Sequence, residues 1–257
     1  MRLAILADLR ANEPAHFAVL DHAQRLHVDR IWCIGSLLSY GPDPVAVVDR
    51  VQQPPIDGRC ILGHPDSSML IRDGMPGFSP VARRGFTWAY DLLRPRWWSG
   101  SATRRRWQWL TALPSVAYEG DWQFFSGTPQ HPEADFLPIF GVPPGRKEQV
   151  DPHFALVRRG AFVGTIGHPV VIFANDLIWQ PIKGSEQQVE VGGRKFIACP
   201  GSVGQPRDSD PRAGFILFDG ETITWYRVAY DISETMRRIR EHSEISKRNA
   251  DRLGLGR

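Results

Sequence analysis

Apolar residues near the start of the chain form short unbroken runs, and each run is followed by a pattern typical of a helix. The run RLAILAD at residues 2–8 predicts a strand that is buried on both faces. Asn12 can cap a helix that accommodates Pro14 in its first turn. The apolar face of that helix is predicted to contain Ala15, Val19, Ala23 and Leu26.

The same strand and helix pattern is repeated once, and a third strand follows it. RIWCIGS at residues 30–36 predicts a second buried strand, and RCILG at 59–63 predicts a third. Between them Asp43 is expected to cap a helix with Pro44 at its first position. The buried stripe of that helix is predicted to be Val45, Val48 and Val51. Short crossovers of this kind favour a parallel sheet.

The middle and the end of the chain have different patterns. Residues 70–115 are predicted to be helical, with breaks at Pro76, Pro95 and Gly100. From residue 122 onward, short strands alternate with loops. Two hairpins are predicted, one over 187–199 turning at Gly192-Gly193 and one over 214–228 turning at Asp219-Gly220. Asp231, with Glu234 three residues later, is expected to cap a final helix that buries Ile232, Met236 and Ile239.

Size and composition are those of a globular protein. The chain has 257 residues, of which 42% are hydrophobic, and no linker or repeat divides it, so one domain over residues 1–257 is predicted. No apolar stretch approaches the roughly 20 residues that span a membrane, and the N-terminus does not read as a signal peptide. The three cysteines lack zinc-site spacing. We therefore expect a cytoplasmic protein without membrane association.

The net charge of +3 is mild, and no nucleic-acid-binding motif accompanies the basic clusters at 103–107 and 236–240. Several of the nine tryptophans lie within 88–122. These tryptophans are expected to form a local core, and an interaction surface is the alternative.

Polar residues stand at the predicted carboxyl ends of the strands, where parallel α/β sheets bind ligands. They are Asp8, Ser36, His64, Ser126 and His168. We expect these five side chains to face one edge of the fold.

The stretches that contain these residues resemble the conserved blocks of the calcineurin-like metallophosphoesterases, and most closely a compact bacterial branch with diadenosine-tetraphosphatase-like and small phosphodiesterase proteins. The resemblance extends over almost the whole chain. It is carried by LADLRAN, IGSLLSYGPDP, LGHPDSS, FFSGTP, TIGHPV and CPGSVGQPRDSDPRAGFILFD. It implies an α/β fold, specifically a four-layer α/β/β/α sandwich (metallo-dependent phosphatase-like), with two metal ions between the sheet edges.

The chain departs from the family's ligand pattern of Asp-x-His, Gly-Asp, Gly-Asn-His-Asp/Glu, a lone His and Gly-His-x-His. Asp8 is kept, but Arg10 stands in place of the first histidine, and Ser36 replaces the aspartate that bridges the two metals. A guanidinium is not deprotonated in proteins and so cannot be a ligand. We therefore expect Arg10 to replace the first metal and to pair with Asp8.

The remaining blocks are altered as well. His64 stands where the family has asparagine, and Pro65 stands where it has its catalytic histidine, while Asp66 is kept. Ser126 replaces the lone histidine. In the last block His168 is kept and Val170 replaces its partner. The resemblance thus implies that no normal dinuclear centre forms, because the bridging carboxylate and most ligands are lost.

Three hypotheses remain open. In the first, the protein is a catalytically degenerate pseudoenzyme without a cofactor that acts as a scaffold or binds a phosphate-bearing or nucleotide-like molecule. Its ligand-binding residues would be Asp8, Arg10, Ser36, His64, Ser126 and His168. In the second, it is an active phosphoesterase with one divalent ion (Mn, Fe or Zn) on Asp8, His64 and His168, and with His64 and Asp66 as catalytic residues. In the third, the Trp-rich region 88–122 makes it a protein-interaction module.

Two further points affect the site. The Asp8–Arg10 pair could be a purely structural ion pair that fills the former metal position. Arg207 and Arg212 belong to a loop that lies near the site in the family, which makes them weaker candidates for ligand contacts or core ion pairs.

Overall fold

Two six-stranded sheets form the centre of the protein, in a computed structural model that describes residues 1–71, 75, 77–133, 147–164, 167–174, 178–179 and 186–257. The strands are β1 Leu3–Leu6, β2 Arg30–Ile34, β3 Cys60–Ile61, β4 Val116–Glu119, β5 Trp122–Phe125, β6 Gly160–Val163, β7 Pro169–Phe173, β8 Ile178–Trp179, β9 Gln187–Glu190, β10 Phe196–Pro200, β11 Ala213–Phe218 and β12 Thr222–Val228. The helices are α1 Glu13–Arg25, α2 Pro44–Val51, α3 His64–Ile71, α4 Pro80–Leu93, α5 Ser101–Thr111, α6 Lys147–Leu156, α7 Ile232–Glu241 and α8 Lys247–Leu255.

The first sheet has the strand order β3-β2-β1-β11-β12-β9. Strands β1, β2 and β3 are parallel, with Leu3 opposite Arg30 and Cys33 opposite Cys60. This confirms the parallel arrangement expected from the short crossovers. Strand β11 pairs antiparallel with β1, so the C-terminal hairpin extends the sheet that the N-terminal strands begin.

The second sheet has the order β4-β5-β6-β10-β7-β8 and packs on the first through phenylalanine side chains. The fully buried rings in this interface are Phe124, Phe162, Phe196 and Phe218. Their centroids lie 5.3 to 5.7 Å apart in several pairs, within the range favoured for aromatic contacts. The interface between the two sheets therefore forms a core of its own.

Helices cover the outer faces of both sheets. Helices α1, α2 and α4 bury their apolar faces on the first sheet, and Phe154 of α6 joins the core on the outer face of the second. These layers form the α/β/β/α sandwich that the family resemblance implies. The single domain over 1–257 stays a prediction. None of the described helices is long and apolar enough to cross a membrane.

The predicted hairpin at Gly192-Gly193 is wrong. Strand β9 pairs with β12 in the first sheet, whereas β10 lies between β6 and β7 in the second. All five residues of β10 are buried, but those of β9 alternate between partly buried and exposed, as expected of an edge strand. The glycine pair therefore carries the chain from one sheet to the other.

The C-terminal region also differs from the sequence prediction. Asp231 caps α7 as expected, since its Oδ1 accepts the Glu234 amide N–H at 3.0 Å, but α7 is not the last helix. Helix α8 was missed because its surface is polar and only Ala250 and Leu253 are buried. Asp43 precedes α2 as predicted, yet its side chain accepts a bond from Arg238 of α7 instead of capping α2. This ion pair ties α7 to the start of α2.

The Trp-rich region divides into two groups. The tryptophans that pack against the cores, as the core interpretation predicts, are Trp88, Trp107, Trp109 and Trp122. Trp97 and Trp98 do not, because they are 85% and 61% exposed. Both lie on the connection between α4 and α5. That connection is held by Arg104, which donates to the carbonyl oxygens of Arg96, Trp97 and Ser99.

A buried histidine on α1 should make stability depend on pH. His16 is completely buried, and this burial, reinforced by Arg50, lowers its pKa to about 3. A depressed histidine pKa means that the unfolded chain binds a proton first, so stability is lost as pH falls below about 6.5. We expect a loss of about 2 kcal/mol between pH 7 and pH 5 from this residue.

Urea denaturation at pH 7, 6 and 5 measures this loss. His16→Leu should flatten the dependence of the unfolding free energy on pH. The exposed His131→Gln variant is the control and should keep it. An unchanged slope in His16→Leu would show that other groups govern it.

Candidate functional site

The segments that follow β1 and β2 run side by side and bring the candidate residues together. The amide of Asp8 donates to the Gly35 oxygen at 3.2 Å, and the amide of Arg10 donates to the Ser36 oxygen at 2.9 Å. Asp8, Arg10 and Ser36 all have positive φ angles, between 54° and 57°. Non-glycine residues rarely adopt this conformation, which costs free energy and is concentrated at functional sites. Packing therefore holds this edge in a strained arrangement.

The ion pair expected between Asp8 and Arg10 is present. Nη2 of Arg10 lies 2.9 Å from Oδ1 of Asp8, and Nη1 donates to Ser39 Oγ at 3.0 Å. The guanidinium carbon lies 5.2 Å from the centre of the Tyr40 ring, a cation–π distance. Asp8 is 1% exposed and Arg10 is 6% exposed. A fixed cation thus occupies the position beside Asp8.

A second arginine lies near the same carboxylate. A Cβ atom placed on Gly167 would lie 3.4 Å from Cδ of Arg207 and 3.9 Å from Oδ2 of Asp8, so both side chains lie beside this glycine. Burial lowers the pKa of Arg207 most, and the nearby positive charge of Arg10 lowers it further. Arginine nevertheless stays charged in proteins. The cluster therefore holds two cations around one carboxylate.

Four polar atoms at this edge are buried without a hydrogen-bond partner among the described residues. Three can donate, namely Nε of Arg10, Nε of Arg207 and Oγ of Ser126, and the fourth is the acceptor Oδ1 of Asp8, which is compensated by its ion pair with Arg10. Buried donors normally have partners, because a lost hydrogen bond costs about 1–3 kcal/mol. Unsatisfied donors around an excess of positive charge are suited to an anion with several acceptor oxygens.

The two serine positions lie next to each other. Ser36 is 2% exposed and Ser126 is fully buried. A Cβ atom on Gly35 would approach Ser126 Oγ to 2.7 Å, so only glycine allows the end of β5 to pack against the end of β2. Among the described residues, no base forms a hydrogen bond with either serine hydroxyl, so their chemistry there is that of hydrogen-bond donors and acceptors.

The two histidines have different surroundings. His64 begins α3, and its ring stacks on Phe78 with centroids 5.6 Å apart. His168 lies between β6 and β7 and is half-buried. Burial lowers the pKa of His168, and the nearest charges are those of Asp208, Arg207 and Arg227. Within the described parts of the chain, no three His, Cys, Asp or Glu side chains come together in a group that could hold a metal ion.

Asp66 has structural partners. Its carboxylate accepts backbone N–H bonds from Leu37 at 2.9 Å, Leu38 at 3.0 Å and Gly63 at 3.1 Å. Burial raises its pKa, although these bonds and Arg10 act in the opposite direction. Asp66 thus fixes the loop after β2 to the start of α3.

Sequence reasoning missed two contacts of Arg10 and gave too little weight to Arg207. Ser39 and Tyr40 belong to the SLLSYGPDP stretch, but their side chains suggested no chemistry until the loop placed them against the guanidinium. Arg212, the other arginine considered in that loop, forms an ion pair with Asp210 at 2.6 Å.

Comparisons with known proteins agree with this fold. A crystal structure of a metallophosphoesterase from Sphaerobacter thermophilus is 29% identical, covers 100% of both chains and superposes with a TM-score of 0.81. The hypothetical protein PH1004 from Pyrococcus horikoshii is 18% identical with a TM-score of 0.75, over 100% of this chain and 98% of that chain.

Sequence comparison adds one relative. The uncharacterized protein MJ0912 from Methanocaldococcus jannaschii is 24% identical over 262 residues, which covers 99% of this chain and 98% of that protein. No family model matches the chain. Together with the two-sheet architecture, the structural neighbours show that this chain has the metallophosphoesterase fold.

Proposed function

We propose that this metallophosphoesterase-fold protein is catalytically degenerate and binds a phosphate-bearing ligand at the cluster of Asp8, Arg10 and Arg207. The main support for the proposal is the ion pair between Arg10 and Asp8 at 2.9 Å. Of the family's ligands to the first metal, the chain keeps only Asp8, and the Arg10 guanidinium lies beside it. A guanidinium supplies positive charge and hydrogen-bond donors, but it is neither a Lewis acid nor a source of bound hydroxide.

The charge balance of the cluster favours an anion. Asp8 contributes one negative charge, while the buried Arg10 and the half-buried Arg207 contribute two positive charges. The Asp66 carboxylate also lies near Arg10, but it already accepts three backbone N–H bonds. Buried charges are costly unless they are paired. Phosphate would balance the additional positive charge, because the planar donor fork of arginine matches two phosphate oxygens. Arg207 and His168 are half-buried, so the ligand would enter from their side.

The residues present do not fit a dinuclear metal centre. The bridging position holds Ser36, and the position of the first histidine holds Arg10, which repels cations. The described side chains include no metal-binding group of three or more. Chemistry on a metal pair is therefore not part of the proposed function.

The alternative, an active phosphoesterase with one metal ion, needs Asp8, His64 and His168 as ligands with His64 and Asp66 in catalysis. Two contacts weaken it. The His64 ring stacks on Phe78, and the Asp66 carboxylate already accepts three backbone N–H bonds. A residue fixed in this way supports a loop better than it transfers protons to a substrate.

A second candidate function, an interaction module, is favoured by the exposure of Trp97 and Trp98. A rigid, exposed aromatic pair is typical of residues that dominate protein interfaces. Its test is a quantitative binding assay with any partner found by cross-linking. Trp97→Ala should weaken that complex at least tenfold, and Trp107→Phe should not.

Metal content provides the first test. We expect less than one tightly bound transition metal per chain, because most of the family's ligand positions are altered. Elemental analysis of protein purified without chelators measures it, and two equivalents of Mn, Fe or Zn would contradict the proposal. The double variant Arg10→His, Ser36→Asp restores two family residues and should bind more metal than the natural chain.

Catalytic activity provides the second test. We expect no appreciable Mn-stimulated hydrolysis of model phosphodiesters or dinucleoside polyphosphates. Removing a single group that stabilises the transition state commonly costs ~10²–10³ in rate, and this chain lacks both the bridging aspartate and the catalytic histidine. Robust turnover that disappears in His168→Ala would support the single-metal alternative instead.

Anion binding provides the third test. We expect inorganic phosphate to raise the melting temperature slightly, with a Kd of ~0.1–1 mM, because Asp8 neutralises part of the positive charge. Arg10→Ala should abolish this shift, whereas Arg105→Ala, which removes an exposed arginine, should preserve it.

The purely structural interpretation predicts another pattern. Arg10→Ala would then lower stability by about 3–5 kcal/mol, because Asp8 loses its partner while buried. Phosphate would have no effect on either protein. Absence of a phosphate shift in the natural chain would therefore end the anion-binding proposal and leave the ion pair as a structural element.

A further inference from the structure

We propose that the groove between α4 and α8 is a second binding site, for a small organic anion that joins a planar aromatic ring to a phosphate group. The groove has a volume of about 600 Å³, within the range of small-molecule pockets and far larger than inorganic phosphate needs. It is lined by the loop at residues 38–41, by α4 with its cap Ser79, and by residues 245–252.

One wall of the groove is aromatic. Tyr40, Phe86 and Trp88 line it, and the Tyr40 and Phe86 rings meet edge to face with centroids 5.9 Å apart. Phe86 is 2% exposed and forms the floor, whereas Tyr40 and Trp88 are half-buried and present ring surface to a ligand. Val81 and Ile245 add aliphatic surface. Such a wall stabilises a flat apolar group by burial and ring contact.

The opposite wall is cationic. Arg248 and Arg252 lie one turn apart on α8 and both line the groove, while no acidic side chain does so among the described residues. Arg248 is exposed, and no ion pair joins it to a described residue. Arg252 donates its Nε to the Arg257 oxygen at 3.1 Å. Two guanidinium groups four residues apart on a helix face the same side and can together hold one phosphate.

The groove is also preformed. The backbone of Tyr40 has a φ of 75°, and Asn249 of α8 holds it by donating Nδ2 to the Tyr40 oxygen at 3.1 Å. The Tyr40 ring packs against Arg10, so it separates the groove from the Asp8–Arg10 pair. The groove is therefore next to the Arg10 cluster, but its lining includes none of Asp8, Arg10 and Arg207.

The aromatic wall and the cationic wall together determine which class of ligand the groove can bind. Inorganic phosphate would leave the ring surface uncovered, and a neutral aromatic molecule would leave both arginines without a counter-charge. A molecule with both parts satisfies the groove, and adenosine monophosphate is a suitable probe. Isothermal titration calorimetry should show it binding at least tenfold more tightly than adenosine or inorganic phosphate.

Two substitutions on the same helix locate the site. Arg248→Glu should weaken adenosine monophosphate binding at least tenfold, because it places a negative charge in the groove. Lys247→Glu makes the same charge change next to it but outside the lining, and it should have little effect. Both residues are exposed, so both variants should fold.

A third variant fills the groove. Gly85 lines it, and a Cβ atom there would meet only the Glu244 oxygen at 3.6 Å, an ordinary contact. Gly85→Phe should therefore abolish binding of adenosine monophosphate while melting as a folded protein. Phosphate binding at Arg10 and Arg207 should be unchanged in this variant.

Two outcomes would overturn the inference. One is that adenosine monophosphate does not bind the natural chain. The other is that adenosine monophosphate binds no more tightly than phosphate, and that its affinity falls in Arg207→Gln but not in Arg248→Glu. This pattern would assign its binding to the Arg10 cluster. In that second outcome the proposed function stands while the groove proposal fails.

Discussion

The ion pair between Arg10 and Asp8 is the constraint around which this edge of the protein is built. In the metallophosphoesterases that the sequence resembles, the corresponding aspartate binds a metal ion. Here a buried carboxylate that is 1% exposed needs another cation, since an unpaired buried charge costs several kcal/mol. Arg10 supplies it and adds bonds to Ser39 and contact with Tyr40, so that one side chain connects the loop after β1 with the loop after β2.

Much of the fold follows from local patterns, because the buried runs of the first 60 residues and the Asn12 cap of α1 specify their own structure. The passage of the chain from one sheet to the other at Gly192-Gly193 could not be predicted from local patterns. A glycine pair between two strand patterns is typical both of a hairpin and of a connection between two sheets. Only the pairing of β10 with β6 and β7 distinguishes the two. Helix α8 was missed because its apolar face is narrow and its stability comes from tertiary packing.

The candidate site was also predictable in part from local sequence patterns. Asp8 and Ser36 directly follow strands, and strand ends meet at one edge of a parallel sheet. Arg207 could not be placed, since its approach to Asp8 depends on a loop about 200 residues away in sequence passing beside Gly167. The partners of Asp66 were equally hidden, because all three are backbone amides that no side-chain pattern reveals.

In the proposed function a guanidinium takes the place of a metal ion, which would change what the edge can do chemically even though its charge stays positive. A divalent ion can polarise a phosphoryl oxygen and lower the pKa of bound water to about 7. Arginine keeps its protons and offers donors in a fixed plane, so it can orient a phosphate without generating a nucleophile. The strained backbone at Asp8, Arg10 and Ser36 fixes those donors in place. This chemistry supports the proposal that the edge holds a phosphate group without cleaving it.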